Sequence, residues 1–217
     1  MGSGKSEIAL NFTLEQMKLS AKPLKLMDLD VIKPYIRIRD MADKLEKKGI
    51  ELLLPEKKIR NADMPIIPSK IMSYLYDDQF DMVIDVGGED RGAISIAQFK
   101  NIFEEMNVVV YVVINAMRPF SNTPEKIINT VNELSRLSKL NVDGIIANTH
   151  IRLSTTLDEV LKGLETITKA SKMLQLPIER VAVWDKLLQG RTPEELKQCN
   201  LLKLSLHLLF PWENEND

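Results

Sequence analysis

Short apolar runs alternate along the chain with longer stretches of helical periodicity. The segments 24–28, 50–54, 82–86, 108–115, 144–148 and 180–184 read as strands, because each is short, apolar and followed by a loop. The Val- and Ile-rich run 108–114 suits a strand buried on both faces. Helices are predicted over 5–20, 36–48, 67–76, 94–105, 123–138, 155–174 and 192–209. Gly49 is a natural stop for the second of these. Thr123-Pro124 gives the fifth an N-cap followed by proline at the first helical position. The sixth ends before Pro177, and Thr192-Pro193-Glu194-Glu195 offers a capping arrangement for the last. The polar, proline-bearing stretch 55–68 reads as a surface loop. Regular alternation of strand and helix predicts an α/β fold: a doubly wound, mainly parallel sheet with helices on both faces. No repeat, low-complexity tract or linker divides the chain, so residues 1–217 read as one domain.

Composition narrows the partners. The net charge of −2 gives no reason to expect nucleic acid or an anionic membrane. No apolar run is long enough to span a bilayer. The apolar stretch 201–212 is followed by acidic residues rather than a basic face, so docking on the sheet is expected before a membrane role. The N-terminus has no signal-peptide pattern, and the single cysteine, Cys199, cannot form an internal disulfide; both fit a cytoplasmic protein.

The chemistry-bearing residues fall at the predicted strand ends. Met1-Gly2-Ser3-Gly4-Lys5-Ser6-Glu7 carries the G-K-[ST] end of a phosphate-binding P-loop. Gly2 and Gly4 let the backbone curl, so that N–H groups of the Gly2–Glu7 stretch, Ser3 included, converge on phosphate at a helix start. Lys5 adds a cation, and Ser6 is a candidate Mg²⁺ ligand. Asp28 and Asp30 close the first predicted strand, where they suit a metal site, the orientation of an attacking water, or simply a solvated turn. Met82-Val83-Ile84-Asp85-Val86-Gly87-Gly88 is an apolar strand ending in Asp and two glycines. Asp85 there suits Mg²⁺, and the Gly88 N–H suits a γ-phosphate. Asn148 ends a buried strand and either reads a purine edge or merely terminates the strand. Trp184 and Asp185 close the last strand and either line a base pocket or pack. Arg118 follows the Val-rich strand and reads equally as a phosphate or carboxylate ligand and as a surface residue. His150 and His207 are isolated in sequence and form no metal-ligand spacing.

With these motifs in this order, the chain resembles the MinD/ParA-like branch of P-loop NTPases, within the SIMIBI class and the CobQ/CobB/MinD/ParA nucleotide-binding group. The resemblance covers nearly the whole chain. It implies ATP and Mg²⁺ as cofactors, Asp28 near the metal, Asp30 orienting the attacking water, Asp85 and Gly88 as the D-x-x-G switch, and Asn148 reading adenine. It also implies a homodimer or partner protein, with a slow ATPase acting as the switch. Lys5 and Asp30 are then the candidate catalytic residues. Two other functions are compatible with the sequence. One is an ATP-dependent small-molecule ligase or kinase, with Lys33, Tyr35, Arg37 and Arg39 available for an anionic substrate. The other is an interaction protein with an impaired nucleotide site.

The chain departs from the family at its start. The first glycine of the P-loop pattern, the strand before it and the place of a signature lysine would all lie upstream of Met1. That strand is expected to be central, beside the one carrying Asp85. Unpaired backbone groups on its neighbours would each cost about 1–3 kcal/mol. The expectation is an upstream start, with folding and ATP binding impaired in a chain that lacks it.

Overall fold

The structure, a computed structural model, describes residues 2–29, 38–53, 69–88, 90–106 and 108–208. In order these form α1 (Lys5–Gln16), β1 (Leu24–Asp28), α2 (Ala42–Glu46), β2 (Glu51–Leu53), α3 (Ser69–Leu75), β3 (Asp81–Asp85), α4 (Asp90–Ile96), α5 (Lys100–Glu105), β4 (Tyr111–Ile114), α6 (Pro124–Ser138), β5 (Gly144–Ala147), α7 (Leu157–Leu174), β6 (Ile178–Trp184), α8 (Asp185–Leu188) and β7 (Leu201–Leu204). All strand pairings are parallel. The strands make two sheets, ordered β2-β1-β3 and β4-β5-β6-β7. Among the described residues no ladder joins β3 to β4. The interruption lies on the edge of β3, the strand that carries Asp85.

Both faces of each sheet are covered at its inner strands, β1 in one and β5 and β6 in the other, as parallel strands require. Alternate residues of the first sheet point to opposite sides. Leu26 and Val83 pack with Leu10 of α1, whereas Met27 and Ile84 pack with Phe99 and Phe103. The second sheet repeats the pattern. Ile146, Ala182 and Leu202 pack with Ile8 of α1, while Ile145, Ala147 and Val181 meet Ile127 of α6 and Ile167 of α7. Helix α1 thus packs against both sheets, and its N-terminus stands at the junction between them. The fold is the doubly wound α/β arrangement predicted from the alternation of elements.

Local sequence explains most boundaries. Thr123 accepts a hydrogen bond from the Lys126 N–H and Pro124 occupies the first turn of α6. Thr156 and Glu159 form a reciprocal capping box that starts α7. Gly49 turns the chain after α2 with φ 81°. The predicted helix over 36–48 begins instead as a 3₁₀ turn, Ile38–Met41, its first two residues lying outside the described part. The predicted helix over 94–105 starts earlier and is divided by a 3₁₀ turn, Ala97–Phe99. Only Tyr111–Ile114 of the predicted strand 108–115 enters the ladder. The predicted loop 55–68 lies outside the described residues.

The prediction over 192–209 is corrected. Thr192-Pro193-Glu194-Glu195 leads only into a 3₁₀ turn, Glu194–Leu196, and the following apolar stretch is the edge strand β7. The deciding feature is alternation by two: Leu202 and Leu204 are buried while Lys203 between them is exposed. Strand β7 pairs with β6 from Val181↔Leu201 to Trp184↔Leu204.

Candidate functional site

The register of the first sheet sets Asp28 directly opposite Asp85 at the carboxyl ends of β1 and β3. Side chains alternate along each strand, so both carboxylates lie on the face that carries Leu26, Val83 and α1. Each is 2% exposed. Carboxylates taken this far out of water require hydrogen bonds or a cation. Ser6, in the first turn of α1, donates its hydroxyl hydrogen to Asp85 Oδ2 across 79 positions of sequence. The neighbouring Lys5 lies against Gly88, where an added Cβ would stand 2.5 Å from Lys5 Nζ. Lys5, Ser6, Asp28, Asp85 and Gly88 are therefore brought to one place. Asp30 lies outside the described residues, as do Lys33, Tyr35 and Arg37.

The loop before α1 turns through left-handed glycines, Gly2 at φ 79° and Gly4 at φ 82°. Side chains from the second sheet hold its carbonyls. Arg118 Nε donates to the Gly2 carbonyl at 3.0 Å, and Asn115 Nδ2 reaches the same oxygen at 3.3 Å. Asn148 Nδ2 donates to the Ser3 carbonyl at 2.8 Å. Helix α1 follows directly. Its first-turn N–H groups have no partner within the helix, and its macrodipole favours an anion there. These side-chain hydrogen bonds to the carbonyls of residues 2 and 3 fix the curl of the loop.

Asn115 is the residue that sequence inspection passed over. It is fully buried and uses both ends of its amide. Nδ2 donates to the His150 carbonyl at 2.9 Å, while Oδ1 accepts from the N–H groups of Met117 at 3.0 Å and His150 at 3.1 Å. It ties the ends of β4 and β5 to each other and to the loop. Only its place at the end of the Val-rich strand hinted at this. Replacing Asn115 with Ala leaves several of these groups unpaired and should lower stability by about 2 kcal/mol. Urea unfolding measures this, and a midpoint within error of wild type would contradict it.

Beside the loop lies a cavity of about 260 Å³. Its lining is polar at Lys5, Ser6, Asn148 and His150 and apolar at Trp184, Leu206 and Leu208. The Glu7 carboxylate is taken up by the segment after β7. Its oxygens accept from the N–H groups of His207 and Leu208, each at 2.9 Å. Asn11, one turn on, exchanges hydrogen bonds with the Ser205 backbone at 2.9 and 3.0 Å. Arg152 donates to the Leu208 carbonyl at 3.1 Å. The segment after β7 is thus strapped to the loop helix. Only the backbone of Glu7 remains for a phosphate. Burial pushes the Glu7 carboxyl up, against the lowering effect of the Leu208 and His207 amides. The His150 ring is pushed down to about 4, first by burial and then by Arg118 and Arg152.

The donor set fits Mg²⁺. Ser6, Asp28 and Asp85 offer oxygen only, from three elements, α1, β1 and β3, that converge. Among the described residues no three His, Cys, Asp or Glu side chains group into a metal cage. Mg²⁺ commonly takes one or two carboxylates and completes its shell with water and phosphate. Asn148 meets the loop through Nδ2, which leaves its Oδ1 and second N–H for any purine edge. No described helix is long and apolar enough to cross a membrane. No protein-family model matches the chain, and comparison with curated proteins finds no match.

Proposed function

We propose that the chain is a Mg²⁺-dependent ATP-binding protein of the MinD/ParA-like kind, a slow cytoplasmic ATPase that works as a nucleotide-dependent dimerisation or partner switch. The observation that carries the reading is the Ser6–Asp85 hydrogen bond at the foot of α1. It joins a glycine-turned G-K-S loop to an aspartate strand end, the two parts that a P-loop nucleotide site combines.

In this reading the loop amides and Lys5 hold the phosphates. Ser6, Asp85 and Asp28 would hold Mg²⁺, which neutralises phosphate charge. Asp30 orients the attacking water, a role that rests on its sequence position. Gly88 reports the γ-phosphate. It stands against Lys5 and just before α4, and α4 packs closely on the turn, since a Cβ on Gly92 would lie 2.1 Å from the Gly87 carbonyl. A phosphate that draws in Gly88 therefore moves the start of α4, which carries exposed Ile94. Order gained at this turn on ATP binding, and lost on hydrolysis, is the switch.

The test is ATP turnover in the full-length protein and in its Lys5→Ala variant. A loss of at least about tenfold in the variant is expected, because a cation on the phosphates is removed. Equal rates would refute the site.

A further inference from the structure

His150 follows β5 and stands on the cavity wall beside the loop. Its peptide is fixed on both sides by Asn115. Its ring is fixed as well. Nδ1 accepts the Arg152 N–H at 3.3 Å, which it can do only without a proton of its own. A neutral imidazole then carries its hydrogen on Nε2. Burial and the nearby Arg118 and Arg152 keep the ring neutral through the physiological range.

Nε2 is buried and has no hydrogen-bond partner among the described residues. The Ser3 carbonyl is near enough to favour a protonated ring, yet it lies outside hydrogen-bonding geometry to Nε2. Nε2 sits against the loop bend, where a Cβ on Gly4 would lie 2.9 Å away. A buried donor left without an acceptor is costly, and a ligand that brings one relieves that cost.

We infer that His150 is a ligand-binding residue whose Nε2–H donates to an oxygen in the sugar–α-phosphate part of a bound nucleotide. This rests on the nucleotide reading above. Lys5 stands against Gly88, to which that reading gives the outer phosphates, and the cavity wall also carries Trp184, Leu206 and Leu208, apolar surface suited to a base. His150 and Asn148 both lie against Gly4, the loop residue next to Lys5, so the donor stands beside the phosphate loop rather than at Gly88. The donor is uncharged, so it adds specificity for an oxygen acceptor without adding to the cationic pull of Lys5.

Calorimetry of the full-length protein with Mg²⁺ and ATP, ADP or inorganic tripolyphosphate tests the assignment. His150→Phe should bind ATP and ADP about tenfold more weakly than wild type and tripolyphosphate equally well. His150→Gln, which keeps an N–H, should recover part of the loss. Nitrogen-15 NMR of the wild-type ring gives a readout independent of the variants: an Nε2–H tautomer at neutral pH, with its N–H signal moving downfield when ADP binds. Unchanged nucleotide affinity in His150→Phe, an equal loss for tripolyphosphate, or an Nδ1–H tautomer overturns the inference. A wild-type protein that binds tripolyphosphate and neither nucleotide, or none of the three, overturns the nucleotide reading itself.

Discussion

Replacing Gly4 with alanine is expected to lower folding stability by about 2–3 kcal/mol and to weaken nucleotide binding at least about a hundredfold. Gly4 sits at φ 82° and ψ 18°. An L-residue held in that left-handed region costs about 1–2 kcal/mol. The added Cβ would also stand 2.4 Å from Asn148 Nδ2. Asn148 must then retreat, and its 2.8 Å hydrogen bond to the Ser3 carbonyl is lost, for about another 1 kcal/mol. The binding loss follows because the Ser3 carbonyl is then free to turn and the converging amides lose their geometry. Gly190 supplies the control. It has a similar backbone, φ 76°, but open space where a Cβ would go. Gly190→Ala should therefore show the backbone cost alone. Chemical denaturation of both variants separates the terms, and equal stabilities with intact binding in Gly4→Ala would remove the loop from the account.

Acid should destabilise the protein through His150. The ring's pKa falls from an ordinary 6.5 to about 4 in the folded chain. Between those values the unfolded chain binds a proton that the folded chain does not, so stability falls as pH falls. The contribution is fully present above pH 6.5 and is lost as pH drops through about 4. A difference of that size corresponds to about 3 kcal/mol. His207 acts in the same direction, its ring lowered by burial and then by Lys48. Glu7 acts in the opposite direction, because burial raises its carboxyl: its contribution is present at low pH and is lost as pH rises through the raised value. Comparison of wild type with His150→Gln cancels both. Urea midpoints at pH 7 and pH 4.5 should show wild type losing about 2–3 kcal/mol more than the variant. Parallel losses would show that the ring is free to charge in place.

The α/β class and its parallel strands were legible because parallel strands bury both faces, and runs such as 82–86 and 144–148 admit no polar alternation; the division into two sheets was not. Strong local signals also held, at Thr123-Pro124 and at Gly49, since each acts within one turn. The C-terminal stretch misled for a physical reason. Leucines at 201, 202, 204 and 206 are dense enough to read as a helix, and the alternation of Leu202, Lys203 and Leu204 marks a strand only once β6 offers it an edge. Short-range signals could not reveal Asn115 or His150. Their roles arise where β4, β5 and the loop meet, between residues more than thirty or a hundred positions apart. Glu7 was legible as part of the loop, but its carboxylate answers to a segment about 200 positions away. By contrast, Asp28 and Asp85 could be placed from sequence alone, because a strand end is a local feature and parallel pairing brings such ends to one edge.

In the proposed function, Gly2–Ser6, Asp28 and Asp85 form one Mg²⁺-nucleotide site. Equilibrium binding of ATP to the full-length protein, with Mg²⁺ and with the metal chelated, tests it most directly. Saturable binding of about one ATP per chain is predicted, weakened at least about tenfold by chelation or by Asp85→Asn. No saturable binding, or binding indifferent to both the metal and Asp85, would contradict it.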